Sequence, residues 1–254
     1  MNKIAVANTI DEVLGQLDAV IAESTRENSP ASIFAYVYRR TTAQIKQAIQ
    51  DKEFNDNEGM EKFDVHFANK YLEAYYQFKE NKPCSAPWAV AFETGPYKLT
   101  ILQHIILGMN AHINYDLGIT GYEMAPSDNI EGIKSDFMSV NQILNSLTNE
   151  MQSRLSRVSR LMFLLDWIGK NSDEEIINFS MVKAREQAWN LSQSLYSADE
   201  AGRKTIMSNV SSLVANLGLA VKHPKSKFLS FVLKIISRFE EKDVKTILSK
   251  LEND

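Results

Sequence analysis

Residues 97–119, YKLTILQHIILGMNAHINYDLGI, constrain the chain more than any other stretch. Placed at about 100° per residue, they read as one helix that is apolar around nearly its whole circumference. Leu99, Ile101, Leu102, Ile105, Ile106, Leu107, Met109, Ala111, Ile113 and Leu117 leave it no solvent face. A helix of this kind belongs inside a protein. It carries two polar inlays into that interior. His104, Gly108, His112 and Asp116 step by four residues along one side, while Gln103, Asn110 and Asn114 gather within about 40° of one another on a different side. A buried polar group left unpaired costs roughly 1–3 kcal/mol, so these groups require partners, and the partners are where a site is to be sought.

The rest of the chain supplies helices to surround that one. Ten Gly and six Pro in 254 residues leave few breakers, which favours long helices over strands and turns. Thr9 can cap an amphipathic helix over 9–25, and Ser29-Pro30 reads as the N-cap and first turn of a helix over 31–52. A helix over 60–80 follows, with His66 a packed or half-exposed ring. NKPCSAPW reads as a rigid extended connection that delivers Trp88 and Phe92. GITGYEMAPSDNIEG reads as a loop of about fifteen residues, long enough to be a lid.

A helical stretch from about 130 to 169 comes next, with Arg154, Arg157 and Arg160 on a solvated or carboxylate-paired face. Ser172 or Asp173 caps a helix that carries Arg185 and Trp189 four residues apart, and another helix covers 199–221. Two amphipathic helices separated near Glu241 end the chain. Their stripe of Phe228, Phe231, Val232, Ile235 and Phe239 reads as packing, the alternative being a surface for a partner subunit or a lipid. The expected fold is all-α: one domain over 1–254, eight to ten helices around the central one, with 223–254 a C-terminal amphipathic extension and the candidate surface for a homo-oligomer.

Composition removes several functional classes. The formal net charge of −4 gives no global attraction to nucleic acid. A single cysteine, Cys84, cannot form an internal disulfide or a thiolate metal site. The first residues lack the continuous apolar core of a signal peptide, with Asp11 and Glu12 interrupting them, and the longest apolar stretch, Leu99–Ile113, is too short and too polar for a bilayer. A soluble cytoplasmic protein is the expectation. There is no Gly-rich phosphate loop, no G-x-S-x-G and no H-E-x-x-H.

Residues 108–117, GMNAHINYDL, resemble the hallmark of a bacterial family of unknown function whose signature reads G-M-N-A-H-I-N-x-D-L. Further pieces fit in the same order: Phe67-Ala68-Asn69 with Tyr71, then Trp88 and Phe92, Asp136-Phe137 with Val140-Asn141, and Ala184-Arg185 with Ala188-Trp189. The resemblance covers roughly residues 30–220 and does not extend to His66 and His104. It implies no activity. It does point to Trp88, Asn69, Asp136, Asn141 and Arg185 as companions of the central helix.

Four chemistries are open for this constellation. His112 and Asp116, one helical turn apart, can aim an imidazole nitrogen and a carboxylate oxygen at one divalent metal such as zinc, with His104 or His66 completing the set. Without metal, Asp116 can orient and charge His112 as the general base of a hydrolase-type enzyme. As a third reading, Gln103, Asn110, Asn114 and Asn69, with Trp88, Asp136, Asn141 and Arg185, hydrogen-bond a small molecule in an apolar pocket. The fourth is a closed network that only fixes helix register. A buried Asp beside a buried His is costly to keep for packing alone, which favours function.

Overall fold

Short polar side chains decide where the helices begin. Thr9 Oγ1 accepts from Glu12 N (3.2 Å), Asp56 Oδ1 from Gly59 N (2.9 Å) and Asp199 Oδ1 from Gly202 N (2.7 Å), each filling an acceptor place that the first turn lacks. In the computed structural model, residues 6–93, 98–159 and 180–252 are described. They form α-helices joined by turns, with no strand among the described residues. In chain order these are α1 (Ile10–Arg26), α2 (Ala31–Gln50), α3 (Asn57–Lys79), α4 (Ala86–Phe92), α5 (Ile101–Ala111), a π turn (His112–Asp116), α6 (Leu117–Glu123), a 3-10 turn (Ile130–Ile133), α7 (Lys134–Val158), α8 (Met181–Ser197), α9 (Glu200–Lys222), α10 (Lys227–Phe239) and α11 (Val244–Glu252).

The α5–π–α6 rod is the centre, packed against α2, α3, α4, α8 and α9. Its buried faces carry Ile101, Ile105, Ile106, Leu107, Ala111, Ile113 and Leu117. The fold is therefore all-α around a buried central helix, but that helix is not the expected 97–119. Thr100 caps it through a reciprocal box with Gln103, and it runs on through Glu123. At its middle, Leu117 N–H donates to His112 O, a step of five residues in place of four. The extra residue re-phases α6 by about 100° relative to α5.

The lid expected over GITGYEMAPSDNIEG is thus largely helical, leaving 124–129 between α6 and the 3-10 turn. Gly118 and Gly121 lie in α6 although glycine is a poor helix former. Here they serve contact. A Cβ on Gly118 would meet Leu191 Cδ2 at 2.6 Å and Ala188 O at 2.9 Å, so only a glycine lets α8 lie this close. Ser192 Oγ then donates to Gly118 O (2.9 Å) across the crossing.

Other boundaries shift for local reasons. Pro30, not Ser29, is the N-cap of α2. NKPCSAPW is non-helical only to Ser85, after which Pro87 sits in the first turn of α4, where its missing N–H is harmless. On α10 the buried row is Leu229, Val232, Leu233 and Ile236, whereas Phe228, Phe231 and Phe239 are 53%, 60% and 71% exposed. The i, i+3, i+4, i+7 spacing of that aliphatic row makes it the better core face. Arg154 is buried, and its Nη1 donates to Leu251 O (2.6 Å) and Glu252 O (3.0 Å), closing the last turn of α11. Arg160, the apolar residues assigned to 161–168 and the cap at Asn171–Asp173 lie outside the described residues.

The last two helices pack into the core. Leu229, Val232, Leu233 and Ile236 join Leu99, Ile106, Leu107 and Val221, while Val244, Ile247, Leu248 and Leu251 join Ile33, Tyr36, Ile101 and Ile105. Tyr36 OH donates to Leu251 O (3.0 Å), and Glu240 Oε2 accepts from Ile101 N (3.0 Å) at the start of α5. No helix among the described residues is long and apolar enough to cross a membrane.

Candidate functional site

His112 and Asp116 occupy the two ends of the π turn and are 1% and 4% exposed. Asp116 Oδ2 takes two donors, Trp88 Nε1 at 2.8 Å and His112 Nδ1 at 3.1 Å. The indole N–H can only donate, so the oxygen is an acceptor, and the imidazole completes the pair by donating from Nδ1. That assignment leaves Nε2 with its lone pair free. Nε2 is buried and has no hydrogen-bond partner among the described residues.

Aromatic rings enclose the imidazole. Phe67 lies on it face to face, with centroids 3.7 Å apart and planes 6° from parallel, and Tyr38 meets it edge-on at 4.5 Å. Trp88 at 5.9 Å, Phe34 at 6.1 Å and Tyr71 at 6.1 Å complete the chamber. Helical spacing explains the assembly. Phe34 and Tyr38 are four apart on α2, Phe67 and Tyr71 four apart on α3, and each pair presents one face to the central rod. Gly108, one turn before His112, is bare because a Cβ there would strike the Phe34 ring at 2.3 Å.

Burial dominates the electrostatics. Desolvation holds the His112 pKa below the ordinary histidine value, opposed by the hydrogen bond and charge of Asp116, so the imidazole is neutral at pH 7. Burial and the nearby Asp64 charge push the Tyr38 hydroxyl well up, and burial with Tyr75 does the same for Tyr71. Both phenols keep their protons, yet neither hydroxyl has a hydrogen-bond partner among the described residues. Thr42, one turn beyond Tyr38, lies near enough to favour its ionised form but outside hydrogen-bond geometry. Asp64 is 2% exposed, has an unpartnered Oδ2, and burial raises its pKa to about 7, with Glu61 adding to the rise.

Beside this chamber is a cleft of about 70 Å³ lined in part by Pro30, Phe34, Tyr75, Trp88, His104 and Gly108. Phe34 and Trp88 belong to both, so these two rings are the partition between cleft and imidazole. Burial, with Lys222 and Lys242 nearby, lowers the His104 pKa to about 4.

Of the expected site residues, His112, Asp116 and Trp88 come together. Gln103 instead caps α5 and sends Nε2 to Val221 O (2.8 Å). Asn110 Nδ2 donates to Val214 O (2.8 Å), and Asn114 Nδ2 to Asn110 Oδ1 (2.9 Å), which ties the rod to α9. Asn69 clamps the backbone of Ala7 with both ends of its amide (2.9 Å each). Asp136 accepts from Asn55 N (2.9 Å) and Asp56 N (2.8 Å), fixing the turn before α3. Asn141 contacts Met138 Sδ, and Arg185 donates to Phe137 O.

His104 is eight residues, or about 12 Å of helix axis, from His112 and lines the cleft, and His66 pairs with Glu123 Oε2 (2.7 Å). No group of three or more His, Cys, Asp or Glu among the described residues could hold a metal ion, so the expected set of His104, His112 and Asp116 does not form. The site residues that sequence reasoning missed are Tyr38, Thr42 and Asp64. Asp64 carried a signal, a lone carboxylate in step with Phe67 and Tyr71 on an otherwise apolar helical face.

A family described as "Family of unknown function (DUF5995)" matches residues 10–224. No curated protein and no solved structure matches the chain.

Proposed function

We propose that this chain, which belongs to the family of unknown function DUF5995, is a hydrolase-type enzyme of the metal-free acid–base kind, acting on a small substrate through His112. One observation carries the reading. A neutral, fully buried imidazole has one nitrogen fixed by an oriented carboxylate and the other nitrogen unpartnered. That is the arrangement of a general base: Asp116 selects the tautomer, Trp88 holds Asp116, and Nε2 takes a proton from water or a hydroxyl. The protonated Tyr38 and Tyr71 hydroxyls supply donors for an oxyanion that develops beside it. The cleft receives the apolar body of a substrate, and the Phe34 ring, which with Trp88 divides cleft from imidazole, must swing aside for the reacting group to reach Nε2.

The five-ring enclosure favours a second reading, a non-catalytic binding protein in which Nε2 accepts a hydrogen bond from a small ligand. Turnover of a panel of short-chain p-nitrophenyl esters and amides by the wild-type protein and by His112→Gln separates them. The enzyme reading expects turnover that rises with pH through a value below the ordinary histidine pKa and is lost in His112→Gln with the fold retained. Wild-type turnover in His112→Gln would overturn it, and absence of turnover across the panel would leave the binding reading standing.

A further inference from the structure

The α7–α8 interface holds a second anomaly, separate from the His112 chamber. Arg185 is 3% exposed, and among the described residues its guanidinium makes one hydrogen bond, Nη2 to Phe137 O. Its Nε is buried and unpartnered. Trp189, one helical turn further along α8 and 3% exposed, has an indole Nε1 that is also buried and unpartnered. The two side chains share one support. Arg185 lies over the Phe137 ring at 4.8 Å, and Phe137 meets Trp189 at 5.2 Å. Neither nitrogen can accept, so no rearrangement between them satisfies either one.

The charge is equally unbalanced. No carboxylate among the described residues pairs with Arg185, and burial alone pulls its pKa down to about 10, so the guanidinium stays charged at pH 7. An uncompensated buried cation is among the most destabilising features a fold can carry. Above it, Lys134 Nζ stands 5.6 Å from the Trp189 ring centroid, about half-exposed. Glu131, the carboxylate that Lys134 pairs with, is engaged by Lys134 (2.9 Å) and Gln193 (2.6 Å).

We propose that Arg185 and Trp189 form a binding site for an oxyanion, the carboxylate or phosphate group of a small molecule, which accepts from Arg185 Nε and Trp189 Nε1 and is approached past Lys134. A guanidinium edge beside an indole N–H gives two donors and one full positive charge, which suits an oxygen anion better than a neutral carbonyl.

Thermal unfolding of the full chain at pH 7 in sodium acetate, sodium phosphate or sodium chloride, at matched ionic strength, tests the site. Acetate or phosphate should raise the midpoint saturably above the chloride baseline, and the anion that does so names the class. Trp189→Phe, which removes one donor and keeps the ring, should weaken the apparent affinity at least threefold. Arg185→Gln should lose the response and, with the buried charge gone, should not need the anion for stability. Equal midpoints in all three salts, or a Trp189→Phe protein that responds as the wild type does, would overturn the proposal. If Arg185→Gln does not fold, the salt series and Trp189→Phe still decide it.

Discussion

The imidazole of His112 lies flat on the ring of Phe67, 3.7 Å between centroids and 6° from parallel. The stacking seals one face of the imidazole from water, and desolvation is the largest cause of its lowered pKa. Phe67→Leu should therefore raise the His112 pKa toward the ordinary value by admitting water, at a stability cost of about 1 kcal/mol. NMR titration of the His112 ring protons reads the change. A pKa that stays put would mean that Phe67 only fills space.

Asp116 holds two donors on one oxygen, which makes its isosteric and apolar variants diverge. In Asp116→Asn the amide oxygen can take both donors, so the loss should be about 1–2 kcal/mol, the difference between charged and neutral acceptors. Asp116→Leu leaves the Trp88 and His112 N–H groups both buried and unpaired, at roughly 1–3 kcal/mol each. Asp116→Asn should also lower the His112 pKa further, because the carboxylate's hydrogen bond and charge are what raise it. Chemical denaturation gives the energies. Equal losses for the two variants would show that the pair does not hold the turn.

The sequence made the central helix legible because being apolar on every side is a global property that few local errors disturb. Its polar inlays were legible as well, but their partners were not. Spacing says that Gln103, Asn110 and Asn114 share a side, and the structure gives that side to the carbonyls of α9. The π turn leaves no mark on a pattern read at a fixed angle, so the helical pattern fades near Ile119 and most of α6 reads as loop. Phe34 and Tyr38 lie on a helix whose apolar spacing carries no sign of a site. Only the packed structure shows that the ring between them and Phe67 is a histidine.

Asp64 supplies a pH prediction whose sign can be worked out. Its folded pKa of about 7 lies above the ordinary 3.8 of an unfolded aspartate, so between these values the folded state holds the extra proton. Stability from this group is therefore full below about pH 4 and falls as pH rises to about 7. His112 and His104, both lowered, act oppositely: their contribution is present above the ordinary histidine pKa of 6.5 and fades as pH falls below it. The two trends flatten the wild-type profile, so the difference from Asp64→Asn isolates the carboxylate. That variant should gain on the wild type between pH 4 and 8 by up to about 4 kcal/mol. Denaturant midpoints across that range check it, and a constant difference would show that Asp64 reaches water.

The family match ends at residue 224, yet α10 and α11 pack into the same core as the central rod. Eight buried apolar side chains belong to them: Leu229, Val232, Leu233, Ile236, Val244, Ile247, Leu248 and Leu251. At roughly 1.5–3 kcal/mol apiece their burial is comparable to or larger than the whole stability of a typical domain, ~5–15 kcal/mol. Removal would also unpair Ile101 N at the start of α5 by taking away Glu240, and would strip Arg154 of its carbonyl acceptors on α11. A chain ending at residue 224 should therefore fail to unfold cooperatively, while Glu240→Gln in the full chain, which keeps an acceptor for Ile101 N, should cost only about 1 kcal/mol. Calorimetry on the two distinguishes a core element from an appendage. A sharp transition in the truncated chain would make residues 225–254 the appendage.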